Sequence, residues 1–263
     1  MAGWPIWYEL MVPDPAAVAP FYKAVLGWEI PEHGNAMPNG SEYREIKRAD
    51  GGTAGGVLTL TQNMADHGVR PIWLAYFHVA DVDESIRKAG AMGASTMMEA
   101  MTMEGIGRMA MLADPQGAPF YVMAPSPPEG SPDAKSDVFQ PDTPGHGAWN
   151  ELNTDAAQQQ IEFYTALFDW RVDGEMPMPD DHIYKFLFDG ENGVGAIGSM
   201  KPDGMPSAWL VYFRAHDIDA AKAAVEANDG RVIMGPHEVP NDDHAIVAID
   251  PAGAPVGIVG RKG

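Results

Sequence analysis

Apolar and polar positions change their period along the chain. Trp7, Glu9 and Met11 alternate with Tyr8, Leu10 and Val12, the two-residue period of a strand that presents opposite faces. Val18, Phe21, Tyr22, Val25 and Leu26 then recur at the spacing of a helix. Asp14 is placed to cap that helix, Pro15 to open its first turn and Gly27 to stop it. Strand-like runs follow over 43–47 and 57–61, then a strand rich in aromatic and β-branched residues over 72–79 and a short helix over 83–91. Two further strands, 108–113 and 119–123, are joined by the turn Asp114-Pro115-Gln116-Gly117. The order expected is β-α-β-β-β, twice over.

The whole pattern then returns. Trp7-Tyr8-Glu9-Leu10, Phe21-Tyr22 and Trp28 reappear as Trp149-Asn150-Glu151-Leu152, Phe163-Tyr164 and Trp170, at the offset of 142 that separates Trp7 from Trp149. Trp73 to Phe77 and Asp114 to Pro119 reappear as Trp209 to Phe213 and Asp250 to Pro255, at the offset of 136 that separates Trp73 from Trp209. Helices are expected again near 156–168 and 219–228. So long a period points to a duplicated domain rather than a solenoid, each copy being large enough to bury a core. Between the copies, residues 125–146 carry six prolines and few apolar side chains, a composition that sustains neither a helix nor a central strand. The expected organisation is a first module over 1–124, a stiff proline-rich linker over 125–146 and a second module over 147–263.

Composition narrows the partners. Seventeen Lys and Arg against 37 Asp and Glu give a net charge of −20, which repels phosphate backbones and anionic lipid, so neither nucleic acid nor membrane is an expected partner. The absence of Cys removes thiolate ligands and thiol nucleophiles, and fits a reducing compartment. No apolar run approaches the roughly 20 residues that span a bilayer, and a cytoplasmic location is expected. Seventeen Met include a cluster at 97, 98, 101, 103, 109 and 111, read as flexible core filler.

The strand, the Asp, the helix ending Phe-Tyr-x-x-x-(Leu/Phe)-(Gly/Asp)-Trp and the later Asp-Pro-x-Gly turn together resemble the vicinal oxygen chelate superfamily. That superfamily contains glyoxalase I, bleomycin-resistance proteins, fosfomycin-resistance enzymes and extradiol dioxygenases. The resemblance covers nearly the whole chain outside the linker. It implies an α+β fold of two tandem glyoxalase-like modules, each of paired β-α-β-β-β units curling a mixed sheet into a cup. It also implies a divalent metal held by side chains of the first, fifth and eighth strands. Carried onto this sequence, those positions fall on Trp7, Ala75 and Tyr121, and on Trp149, Val211 and Gly257. No metal ligand is therefore expected, and a divalent ion at a relocated site is the alternative.

Two residues after each first-strand position stand Glu9 and Glu151, on the same face of the strand. A carboxylate among aromatic rings is costly to desolvate unless paired or hydrogen-bonded, so its recurrence needs a reason. Three readings stay open: a general acid or base that touches the ligand, an internal hydrogen bond that fixes the scaffold, or a lone metal ligand. Trp7, Trp73, Phe77 and Tyr121, with Trp149, Trp209 and Phe213, are expected on that inward face, either as core or as a wall for a flat or aromatic ligand. His78 and Arg214, partners in the repeat, are expected to be exposed, and His146 to lie in a surface loop. Arg108 and His244, also partners, are placed to attract an anion at the mouth of the site or to lie solvated at a strand end.

Two classes of function follow. One is a metal-free small-molecule-binding protein of the bleomycin-resistance kind, holding a flat or aromatic ligand with an acidic group. The other is an enzyme of the lactoylglutathione lyase or dioxygenase kind, using Glu acid-base chemistry or the relocated metal. Pairing into a homodimer stays open.

Overall fold

The computed structural model describes residues 2–37, 40–127, 130, 135–201 and 205–263. The first repeat runs β1 (Pro5–Val12), α1 (Pro15–Leu26), β2 (Asn35–Ala36), β3 (Glu42–Lys47), β4 (Thr53–Thr59) and a short α2 (Gln62–Asp66). It continues through β5 (Ile72–His78), α3 (Val82–Ala91), β6 (Ser95–Met103), β7 (Gly107–Ala113) and β8 (Pro119–Pro125). The second runs β9 (Gly147–Asn153), α4 (Ala157–Phe168), β10 (Arg171–Glu175), β11 (Tyr184–Asp189) and β12 (Asn192–Gly198). It ends with β13 (Ala208–Arg214), α5 (Ile218–Ala227), β14 (Arg231–Val239), β15 (Asp243–Ile249) and β16 (Pro255–Gly260).

The strands form two eight-stranded mixed sheets, ordered β2-β3-β4-β1-β5-β8-β7-β6 and β10-β11-β12-β9-β13-β16-β15-β14. This is the expected α+β architecture in tandem. Parallel pairs occur where a helix makes the crossover: β1 with β4, β5 with β8, β9 with β12 and β13 with β16. Antiparallel pairs join the strands linked by turns.

Local sequence accounts for the ends of α1. Asp14 accepts the Ala16 N–H at 2.9 Å, Pro15 lacks a donor that the first turn leaves unused, and Gly27 at φ 72° closes the helix with its N–H on the Lys23 carbonyl. The buried face is the one the period predicts: Val18, Phe21, Tyr22, Val25 and Leu26.

By proximity the chain forms two compact units. One comprises Met1–Ile6, Ala75–Ser136 and Trp149–Leu210; the other comprises Trp7–Leu74, Asp137–Ala148 and Val211–Gly263. Each unit thus takes a β-α-β-β-β stretch from both repeats. In the first, Phe77 and Phe120 pack among Tyr164, Phe168, Trp170 and Trp209. The Tyr164 hydroxyl donates to Asp114 Oδ2 at 2.9 Å and receives the Trp209 indole N–H at 2.9 Å. The second unit repeats the device with Trp28, Trp73 and Phe213: Tyr22 donates to Asp250 Oδ2 at 2.9 Å and receives Trp73 at 2.8 Å.

Asp114 and Asp250 also perform the local task expected of them. Asp114 Oδ1 accepts from the Gln116 and Ala118 amides, and Asp250 Oδ1 from those of Ala252 and Ala254. Gly117 and Gly253 adopt the positive φ, 88° and 99°, that the turn demands. Burial raises the pKa of both carboxyls, and burial beside them pushes both tyrosines well above the usual phenol range.

Three expectations are corrected. Met97 and Met101 are exposed on β6 rather than core filler; β6 ends its sheet, so one side of its backbone meets no strand. Arg214 is buried, because its guanidinium grips both oxygens of Asp243 at 2.8 Å and the Pro141 carbonyl at 3.1 Å. His146 is buried, with Nδ1 3.1 Å from the Pro144 carbonyl. Arg108, half-exposed near the start of β7, donates two hydrogen bonds of 2.9 and 2.6 Å to Asp83, in keeping with a solvated strand end. Of the proline-rich stretch, 128, 129 and 131–134 lie outside the described residues. Val138 and Phe139 are buried, and Asp137 pairs with Arg48.

Candidate functional site

The strands β1 and β9 present the two glutamates. On β9, Glu151 is half-buried and anchors a chain of hydrogen bonds. The Trp149 indole N–H donates to the Tyr184 hydroxyl at 3.2 Å, that hydroxyl donates to Glu151 Oε2 at 2.7 Å, and the Asn153 amide donates to Oε1 at 2.6 Å. Burial, followed by the Glu151 charge, holds the Tyr184 pKa well above the phenol range, so its proton stays on. The third strand of this group, β12, makes room: a Cβ at Gly198 would lie 3.0 Å from both the Tyr184 ring and Asn153 Oδ1.

On β1 the same first step recurs. The Trp7 indole donates to the Tyr43 hydroxyl at 2.6 Å. The Tyr43 ring lies over Gly56, where a Cβ would collide with the phenol, and Gly56 is the register partner of Glu9. Glu9 is 3% exposed against a half-buried Glu151, so the two carboxylates stand in different surroundings. Where the second repeat has Asn153, the first has Met11 at the corresponding position. Tyr43, Tyr184 and Asn153 escaped the sequence reading. The two tyrosines repeat at an offset of 141, one residue from the offset of the first strand, and comparing the third strands would have paired them.

The aromatic residues expected on one face divide into two sets. Trp7 and Trp149 are half-buried and engage the site tyrosines. Tyr121 stacks on Tyr76, its register partner, at 4.0 Å and 10°. Trp73 and Phe77 lie three residues before and one after Tyr76, odd separations that point them to the opposite side of β5, where Trp73 bonds to Tyr22 of α1 and Phe77 meets Phe168 of α4. Trp209 and Phe213 likewise lie three residues before and one after Tyr212, the register partner of Gly257. Phe213 packs on Tyr8, which alternates with Trp7 and Glu9 along β1. Trp73, Phe77, Trp209 and Phe213 are therefore helix-side core, and the expectation that they share the face of the glutamates and Tyr121 is corrected.

The register also moves the fifth-strand ligand position by one residue. Because Tyr76 lies beside Tyr121, the face that would carry a metal ligand holds Leu74 and Tyr76 rather than Ala75. In the second repeat it holds Leu210 and Tyr212 rather than Val211, and the ring of Tyr212 lies where a Cβ on Gly257 would be. Indole, alkyl and phenol groups with a single carboxylate do not make the set of hard donors that a divalent ion takes. Among the described residues, no group of three or more His, Cys, Asp or Glu could hold one. The residues present do not fit the family's metal.

No described helix is long and apolar enough to cross a membrane. Comparison with known proteins agrees with the folding pattern. The profile of the Glyoxalase/Bleomycin resistance protein/Dioxygenase superfamily matches residues 5–122 and 145–258. The Mycobacterium bovis protein CFP32, provisionally named a glyoxylase, is 31% identical over 254 residues, which cover 96% of this chain and 92% of that protein. The anthracycline biosynthesis protein DnrV of Streptomyces peucetius is 30% identical over 276 residues, covering 98% and 93%. Among solved structures, the Mn(II)-bound glyoxalase of Novosphingobium aromaticivorans matches with a TM-score of 0.65 and 16% identity, over 100% of this chain and 84% of that one. The 2,3-dioxygenase LapB of Pseudomonas sp. KL28 matches at 0.63 and 16%, over 100% and 94%. At those identities the solved structures speak for the fold alone, while the profile and the two sequence relatives speak for descent: the chain belongs to the Glyoxalase/Bleomycin resistance protein/Dioxygenase superfamily.

Proposed function

We propose that the chain binds a flat or aromatic small molecule against the faces that carry Glu9 and Glu151, without the divalent ion of its family. The observation that carries this reading is the Trp149–Tyr184–Glu151 relay: a half-buried carboxylate held in one orientation beside an indole face. Aromatic walls with a few fixed polar groups are the ordinary furnishing of a small-molecule site. The donor set argues against a metal there, as set out above. Two relatives carry names tied to the biosynthesis of anthracyclines, which are polycyclic aromatic compounds, in keeping with a flat ligand. The net charge of −20 keeps nucleic acid and anionic membranes outside the reading.

A second reading, acid-base catalysis on an enolisable substrate, draws on the partial exposure of Glu151 and on the glyoxylase name of the mycobacterial relative. The two readings part on turnover. Neither the hemithioacetal of methylglyoxal and glutathione nor catechol is expected to be consumed, with or without added Mn(II), and steady turnover of either favours the enzyme.

The binding reading is tested by screening planar aromatics against the purified protein and remeasuring the best hit on Glu151→Gln and Glu9→Gln. Losing a hydrogen bond to a charged group weakens binding by about tenfold or more. Melting temperatures are expected to stay within a few degrees. Unchanged affinity with a large loss of stability would instead make the glutamates scaffold.

A further inference from the structure

The relay has a direction, and the direction constrains the ligand. An indole N–H only donates, so Trp149 fixes the Tyr184 oxygen as an acceptor on that side. The single proton of Tyr184 then goes to Glu151 Oε2 at 2.7 Å. The Asn153 amide, also a donor, meets Oε1 at 2.6 Å. Both bonds run toward the carboxylate, the pattern of an ionised group that accepts and does not donate. Gly198 of β12 keeps clear the space in which Tyr184 and Asn153 lie, so the arrangement is built into the backbone of a third strand.

We infer that the second repeat selects ligands bearing hydroxyl or amine donors and turns away carboxylates, and that Tyr184 is the positioning residue that enforces the choice. This rests on the reading of Glu151 as the polar anchor of a flat-ligand site. A phenol or an aromatic amine brings a donor that a carboxylate, with several acceptor sites on its two oxygens, can accept alongside those of Tyr184 and Asn153. An aromatic carboxylate brings a second negative charge to the same oxygens, inside a chain already at −20. With Phe in place of Tyr184, Glu151 loses the bond that holds Oε2 in one orientation toward the ligand, and the discrimination falls.

The test uses the full chain and a matched pair of probes, 2-naphthol and 2-naphthoate, with affinities read by titration calorimetry at neutral pH. The naphthol is expected to bind about tenfold tighter or more, the size of one hydrogen bond to a charged group. Tyr184→Phe is expected to narrow that ratio by about fivefold, on the same energy scale, with little change in melting temperature. Glu151→Gln, whose amide can donate, narrows it further and stands as the second variant if the first folds poorly. Equal or tighter binding of the naphthoate, or a ratio that neither variant moves, overturns the inference while leaving a flat-ligand site in place. Failure of both probes to bind overturns the flat-ligand reading and this inference with it.

Discussion

Asp114 and Asp250 carry more than the turns they close. Each is buried and bonded to a tyrosine of the other repeat, and burial raises its pKa above the ordinary value of 3.8. A carboxyl whose folded pKa is raised contributes stability that is complete below the unfolded value and disappears as pH climbs through the folded one. Glu42, Asp83 and Glu84, whose pKa values are lowered by hydrogen bonds from arginines, act in the opposite sense, losing their contribution as pH falls. A profile of the wild type alone mixes the two. The comparison with Asp114→Asn/Asp250→Asn separates them: the stability advantage of the wild type is expected to shrink steadily in urea titrations as pH climbs above about 4, the ordinary value of an unfolded aspartate. An advantage that is flat or grows with pH would refute this account. The sequence made the local role of these aspartates readable, since Asp-Pro-x-Gly names its own turn. It kept silent on the tyrosines, because a hydrogen bond across 50 or 228 positions leaves no mark in local spacing; those spans separate Asp114 from Tyr164 and Tyr22 from Asp250.

Elements with a strong local mark were the easiest to read. The α1 stripe came through because one face is buried and the other is not, the β5 run, buried on both faces, by its aromatic and β-branched residues, and the Asp-Pro-x-Gly hairpins by their turns. Glu9 and Glu151 stood out because the residue recurs at the offset of the first strand, while Tyr43 and Tyr184 sit on β3 and β11, strands whose repeat offset differs by one residue. The β6 strand was missed. Its residues Ser-Thr-Met-Met-Glu-Ala-Met-Thr-Met are exposed or half-buried throughout, so no alternation marks it, and methionine suggested core. Their exposure sets an order of oxidation. Under mild peroxide Met97, 61% exposed, and Met101, 39% exposed, are expected to become sulfoxides well before Met11, Met109 or Met123, which are 4%, 7% and 8% exposed. Peptide mapping by mass spectrometry reads the order directly, and early oxidation of the buried three would contradict the placement of β6.

At the scale of the whole chain, the repeat shows which segments are copies but not which copy packs on which. Each compact unit holds segments of both repeats. In the second unit, Trp28 of the first repeat bonds to the Gly145 carbonyl at 2.9 Å and packs on Phe213 of the second at 4.7 Å. Residues 1–127 expressed alone would therefore lack Asp250, Phe213 and Gly145 together. Such a fragment is expected to show no cooperative thermal transition as a monomer, and residues 135–263 added in trans are expected to restore one. A sharp melt of the isolated monomeric fragment would defeat this prediction.

The reciprocal tyrosine-aspartate bonds reach past folding into how the gene can change. A substitution at Asp114 is felt by Tyr164, and one at Asp250 by Tyr22, so each copy supplies what the other needs. Drift in one half is answerable only in the opposite half, and the two descendants of the duplication stay bound to a common fate at these positions even where, as at Met11 and Asn153, they have gone separate ways.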